Sequence, residues 1–171
     1  MEEYLPEFRR YYKAKAAYLG YEGGLPWYEL YAPVGKGGDK KYSVEECRDY
    51  LVSSFGEIDG DIAGVMKDAF DNRWIDFFPR EGKVGGAFDC GLSCEGVSRV
   101  LTNYQGTFSD VVTLAHELGH AFHDRCVFSQ RPLNQDYTMP VAETASTFNE
   151  ILVKNKAVKE EIDLFCELIG R

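Results

Sequence analysis

The sequence is poor in basic residues and in histidine. Its 171 residues include 19 Lys and Arg against 28 Asp and Glu, and only three histidines. The formal net charge of -9 would repel phosphate backbones and anionic membrane surfaces, so we expect neither nucleic acid nor a membrane as a partner.

Long apolar runs and export signals are also missing. No run approaches the roughly eighteen apolar residues of a membrane-spanning helix, and the acidic start MEEYLPEF lacks the basic-then-apolar order of a signal peptide. The five cysteines are an odd number, and a chain with 44% hydrophobic residues can bury a core without disulfide bonds. We therefore expect a soluble, cytoplasmic protein with reduced thiols.

Hydrophobic spacing and capping signals predict a mostly helical chain. Apolar residues at three- and four-residue steps predict a helix over 5–19. Ser43 with Glu46 has the spacing of a capping box ahead of two further helices, and Thr107 with Asp110 gives another capping signal.

The central and final segments complete the predicted architecture. Short β-branched and aromatic runs within residues 74–104 predict a small antiparallel sheet, or a mixed one. Pro140 opens a predicted helix to about Lys154, and a last helix is expected to end at Gly170. The fold class is therefore α+β and predominantly helical, with residues 1–171 forming a single domain.

All three histidines lie in the stretch TLAHELGHAFHD, residues 113–124. On a helix His116 and His120 differ by about 40° in direction and about 6 Å in height, so both rings can reach one ion. Glu117 lies on a neighbouring line of the same helix, within reach of a water molecule on that ion. The spacing predicts a zinc site with two imidazole ligands and one general base; the alternative is a helix whose histidines face solvent or a polar core pocket.

Two other residues of this stretch bear on that interpretation. Gly119 costs about 1 kcal/mol in a helix interior, which indicates close approach of another backbone, although a tight helix crossing without catalysis would explain it equally well. His123 lies about 10 Å along the axis from His116, too far for both rings to share a tetrahedral site with His120. We favour a supporting or packing role for His123.

A third zinc ligand must come from another element. The helix that Pro140 opens offers Glu143 and Glu150 on one side. A short reversal brings its first turn over the histidines, so Glu143 is the better candidate, because Glu150 lies two turns further along. A carboxylate in a first turn is also a common helix stabiliser with no ligand role.

Several separated motifs resemble one known family. The stretches TNYQGTFSDVVTLAHELGHAFH, PVAETASTFNE, PWYELYAP and WIDFFPREGKVGGAF are similar, in sequence and in order, to the oligoendopeptidase F branch of the thimet oligopeptidase family of zinc metallopeptidases. The resemblance implies a zincin-like core with one zinc ion held by His116, His120 and Glu143. It also implies that Glu117 acts as general base in the cleavage of short peptides inside a deep, largely helical channel.

The resemblance further implies that the GGAF segment borders a bound substrate. Gly86, Ala87 and Phe88 are the residues expected to lie along the sheet edge against which a peptide aligns. Glycine here fits close approach of another backbone, and a β-bulge is the alternative explanation.

The chain also departs from the family pattern. Members are several times longer, with a helical half before this region and a Gly- and Tyr-rich segment after it that contacts substrate. We therefore expect a fragment of a catalytic domain, and exposed apolar faces that favour self-association or binding to a complementing chain. The predicted function is zinc-dependent endopeptidase; the alternative is a zinc-binding module that lacks the downstream substrate-binding segment and does not catalyse.

Overall fold

Two compact units make up the chain. The computed structural model describes residues 2–32, 34 and 40–168, with side chains as far as residue 161. The first unit, Met1–Lys40, contains helix α1, Leu5–Tyr18. The predicted first helix is confirmed, and the chain leaves it through Gly20 at a φ of +85°. The Nζ of Lys15 donates a hydrogen bond of 2.8 Å to the carbonyl of Leu30, which ties the following loop to α1.

The second unit, Lys41–Arg171, begins with helices α2, Val44–Gly56, and α3, Gly60–Asp71. The predicted capping box is confirmed: the N–H of Glu46 donates to the Ser43 hydroxyl at 3.1 Å, and the N–H of Ser43 donates to the Glu46 carboxylate at 2.7 Å. These bonds satisfy two amide groups that the first turn of α2 would otherwise leave unpaired.

Three strands form a small sheet between α3 and the next helix. They are β1, Ile75–Asp76, β2, Phe88–Leu92, and β3, Val97–Leu101, in the order β1-β3-β2. Strands β2 and β3 pair antiparallel, with Cys90 opposite Arg99, whereas β1 pairs parallel to β3, with Ile75 opposite Val100. The sheet is therefore mixed, and β2 lies at one edge of it among the described strands.

Helix α4, Phe108–Phe128, carries all three histidines and begins at the predicted capping box of Thr107 and Asp110. Helix α5 runs without interruption from Met139 to Leu168. The prediction of two successive helices after Pro140 was therefore wrong, because the chain has neither Gly nor Pro near Lys154 and continues as one helix; Gly170 lies outside the described residues. No helix in the described part of the chain is long and apolar enough to cross a membrane.

Helices α4 and α5 cross at very short range. A Cβ atom placed on Gly119 would lie 3.0 Å from the carbonyl oxygen of Ala145, 3.0 Å from the Cα of Ser146 and 2.9 Å from the Nδ2 of Asn149. The close approach expected from Gly119 is therefore present. Ser146 and Asn149 are buried at this crossing, so α5 faces α4 through small and polar groups.

The hydrophobic core lies on another side of α4. It includes fully buried side chains of α2, α3 and α4, among them Leu51, Phe55, Met66, Leu114 and Leu118, and is completed by residues of the sheet and by Val153 of α5. Burying a side chain of this size contributes about 1.5–3 kcal/mol. The core therefore fixes α4 in place while its histidine-bearing side stays accessible.

Candidate metal centre

The spacing of His116, Glu117 and His120 on α4 gathers three donor groups. One ligand atom from each residue lies within 4.8 Å of those of the other two. The rings of His116 and His120 have centroids 4.9 Å apart and stand at 81° to each other. Both nitrogen donors therefore converge on one space beside the helix, as their four-residue separation predicts.

Glu143 of α5 reaches the same space from the other helix. Its Oε2 lies 3.4 Å from the Nε2 of His116, and its Oε1 lies 3.8 Å from the Nε2 of His120. Both distances exceed the 2.7–3.2 Å of an ordinary N–H···O hydrogen bond. Two ligands at 2.0–2.2 Å from a tetrahedral zinc ion lie about 3.3–3.6 Å apart. The 3.4 Å separation from His116 lies within this range, and the 3.8 Å separation from His120, which involves the other carboxylate oxygen, is slightly longer. The hydroxyl of Ser146 donates to the Glu143 carboxylate at 2.8 Å and holds it in this direction.

Glu150, the other carboxylate of α5, bonds the outer side of the His116 ring. The distance from its Oε1 to the Nδ1 of His116 is 2.7 Å. The Lys154 ammonium donates to Glu150, and this bond is the main cause that lowers the pKa of the Glu150 carboxyl. An ionised Glu150 accepts a hydrogen bond from the N–H at Nδ1 of His116, so the lone pair on Nε2 of the same ring is available to bind a metal.

Burial shapes the protonation of two groups at this centre. Glu117 is only 6% exposed, and this burial is the main cause that raises its pKa, opposed by His116 and by the backbone amide of Asp89. Burial likewise lowers the pKa of His120, with His116 as the next cause. A neutral imidazole is the form that binds a metal, so the environment favours ligation by His120.

Two cavities flank this group of donors. One, of about 540 Å³, includes Ala87, Phe88, Glu117, His120 and Glu143 in its lining. The other, of about 560 Å³, includes Ala87 again, with Glu117, Glu150 and Lys154.

The residues predicted to border a substrate lie near these cavities. Ala87 forms part of both walls, and Phe88 is the first residue of the edge strand β2 beside the first cavity. Gly86 lies instead on a third, smaller cavity of about 190 Å³.

One protein family matches more than half of this chain. The model of peptidase family M3 matches residues 60–164, which include every donor described above. The chain belongs to peptidase family M3.

Individual relatives include peptidases of similar sequence. Oligopeptidase PepF of Bacillus subtilis is 30% identical over 154 residues, which are 90% of this chain and 23% of the relative. The chromosomal oligoendopeptidase F of Lactococcus lactis subsp. cremoris is 33% identical over 168 residues, which are 95% of this chain and 27% of the relative. A crystal structure from Chlamydophila abortus matches with a TM-score of 0.72 and 29% identity, over 90% of this chain and 25% of that one. The chain spans about a quarter of the length of these relatives.

Two further residues near the site, His123 and Glu150, differ in how well the sequence predicted their roles. His123 lies apart from the donor group: its ring packs on Tyr137 with centroids 4.4 Å apart, and its buried Nδ1 has no hydrogen-bond partner among the described residues. The sequence predicts a role for Glu150 only as the alternative to Glu143 at the third ligand position. Its seven-residue separation from Glu143 was the available signal, because that spacing places both carboxylates on one side of a helix.

Proposed function

We propose that this chain is part of the catalytic domain of a zinc-dependent oligopeptidase. One observation carries the proposal: the carboxylate oxygens of Glu143 lie 3.4 Å from the Nε2 of His116 and 3.8 Å from the Nε2 of His120, and the buried Glu117 lies beside both histidines. His116, His120 and Glu143 would hold the zinc ion. This leaves a fourth position open, as catalytic zinc sites require.

The residues of the chain have distinct tasks in this proposal. A bound zinc ion supplies a Lewis acid that makes water a stronger acid and polarises a peptide carbonyl. Glu117 takes the proton from the attacking water and passes it to the leaving amine. A positioned carboxylate within reach of that water is the kind of group that carries out both proton transfers.

The proposed substrates are short peptides. Relatives described as an oligopeptidase and an oligoendopeptidase support this class. Ala87 and Phe88 lead into the edge strand β2 beside the donors, where an extended peptide can align with the strand. Cytoplasmic action is part of the proposal, and the odd number of cysteines, five, agrees with a reducing compartment.

A second candidate is a zinc-binding module without catalytic activity of its own, or one completed by another chain. It is favoured by the fact that the chain spans only about a quarter of the relatives' length. In that case the metal would bind as proposed, while hydrolysis would require groups from a partner.

Metal analysis combined with one isosteric substitution separates the two candidates. We expect about one zinc ion per purified chain, and cleavage of an internally quenched fluorescent peptide that Glu117→Gln abolishes without loss of zinc. Glu95→Gln, in the turn between β2 and β3, makes the same chemical change away from the site and should leave cleavage intact. Zinc binding without any Glu117-dependent cleavage would favour the module. Failure to bind added zinc would refute both.

A further inference from the structure

The segment that leads into β2 receives two hydrogen bonds from one side-chain amide. The Nδ2 of Asn103 donates two hydrogen bonds of 2.9 Å, one to the carbonyl of Val84 and one to the carbonyl of Gly86. Both amide hydrogens are therefore used on the same short stretch of backbone. This stretch ends at Ala87, which lines both cavities beside Glu117.

Packing does little to hold this stretch. A Cβ atom added to Gly85 or to Gly86 would meet no atom within 4 Å. The side chain of Val84 is exposed, and the 190 Å³ cavity lies against Gly86 and Ala87. Gly86 also adopts a φ of +82°, which other residues rarely take. Lys83, just before this stretch, is anchored by hydrogen bonds from its Nζ to the carbonyls of Asp76 and Phe78. Beyond that anchor, the described side-chain hydrogen bonds to the backbone of residues 84–87 come from Asn103.

Asn103 is itself fixed to the folded body. It follows β3 and lies between two buried residues, Thr102 and Tyr104. The Thr102 hydroxyl donates to the carbonyl of Phe77 at 3.1 Å, and the Tyr104 hydroxyl donates to the carbonyl of Tyr42 at 2.9 Å. The amide of Asn103 therefore projects from a rigid support onto a weakly packed segment.

We propose that Asn103 is a positioning residue for peptide binding: it orients the backbone of Gly86 and Ala87 so that an extended peptide can pair with this edge beside Glu117. The inference rests on the proposed function, since it concerns the same substrate class. It assigns to Asn103 a role in peptide affinity and none in metal binding, because both of its hydrogen bonds go to this backbone segment.

The test compares two isosteric substitutions on the whole zinc-loaded chain. Asn103→Asp removes both donated hydrogen bonds, and Asn72→Asp removes one exposed amide bond to the carbonyl of Asp68 at the end of α3. We expect Asn103→Asp alone to weaken binding of a fluorescein-labelled octapeptide of alanine and leucine about tenfold, measured by fluorescence anisotropy. Amide hydrogen exchange at residues 84–88 should accelerate, while zinc affinity and the denaturant midpoint stay at wild-type values. If cleavage occurs, KM should rise and kcat should stay nearly constant.

A second pair of variants keeps the test decisive if Asn103→Asp does not fold. Gly86→Ala strains the backbone at positive φ, whereas Gly85→Ala adds the same methyl group where no positive φ is required. We expect only Gly86→Ala to weaken octapeptide binding.

The outcomes separate this inference from the proposed function. Wild-type octapeptide affinity in Asn103→Asp and in Gly86→Ala would overturn the positioning role, even with full peptidase activity. Absence of octapeptide binding by the zinc-loaded wild type would overturn it as well. Binding that depends on Asn103, without cleavage that depends on Glu117, would support the inference and contradict the peptidase proposal.

Discussion

Replacing Glu150 by alanine removes the hydrogen bond that orients the outer side of the His116 ring. That bond is 2.7 Å long and is charge-assisted, a type that contributes about 1.5–3 kcal/mol. Solvent reaches both partners, with side chains 23% and 24% exposed, so we take the lower part of this range, about 1.5–2 kcal/mol. At 1.4 kcal/mol per factor of ten, zinc affinity should fall about 10- to 30-fold.

Competition with a chromogenic zinc chelator at neutral pH measures this loss directly. Glu150→Gln keeps a neutral acceptor for the Nδ1 proton and should cost less than Glu150→Ala. Glu143→Ala removes a proposed ligand and should cost more than either. Glu160→Ala is the matched control, because Glu160 lies on the same helix and accepts a hydrogen bond of 3.2 Å from the Tyr50 hydroxyl, away from the histidines.

One result would refute this reasoning. If Glu150→Ala binds zinc within twofold of the wild type while Glu143→Ala loses it, packing alone would suffice to hold the His116 ring. An equal loss in Glu160→Ala would instead mean that the effect comes from α5 as a whole and does not involve the hydrogen bond to His116.

Two further predictions concern stability. Gly119→Ala forces a methyl group against α5 and should lower the free energy of unfolding, measured in urea, by about 1–3 kcal/mol. The control is Gly64→Ala in α3, where an added Cβ meets nothing within 4 Å; it should be neutral or stabilise the protein by up to about 1 kcal/mol. Equal effects of the two substitutions would contradict the close crossing of α4 and α5. Burial, followed by a hydrogen bond with Asp124, raises the pKa of Asp89 from 3.8 to about 8, so the stability it contributes is complete below about pH 4 and is lost as the pH rises toward 8. Asp89→Asn should therefore lose less stability than the wild type between pH 5 and pH 8 in urea titrations, and parallel pH profiles would disprove the shift.

Local signals in the sequence were enough to predict much of the fold. The capping box at Ser43 and that at Thr107 each involve residues three positions apart, so no distant contact is needed to recognise them. The parallel pairing of β1 with β3, in contrast, could not be predicted from local sequence. Ile75 pairs with Val100, twenty-five positions away, and the strand pattern alone does not specify which distant strand lies alongside.

The candidate site was predictable as far as helical geometry extends. His116, Glu117 and His120 come together because they share α4. The approach of Glu143 depends on how closely α5 crosses α4, which Gly119 only suggested. Asn103 had no recognisable signal, because its partners are backbone carbonyls of a loop whose path is set by tertiary structure. The assignment of the zinc ligands themselves stays a prediction.

The unbroken course of α5 has a mechanical consequence. The single helix α5 places Glu143 near the Nε2 atoms of the histidines and Glu150 beside the Nδ1 of His116. If α5 advanced by one residue along its axis, both carboxylates would shift by about 1.5 Å and rotate by about 100° around the axis. Both would then lose their contacts with the histidines at the same time. If the proposed metal site is correct, any displacement of this helix would change metal affinity and the orientation of the His116 ring together.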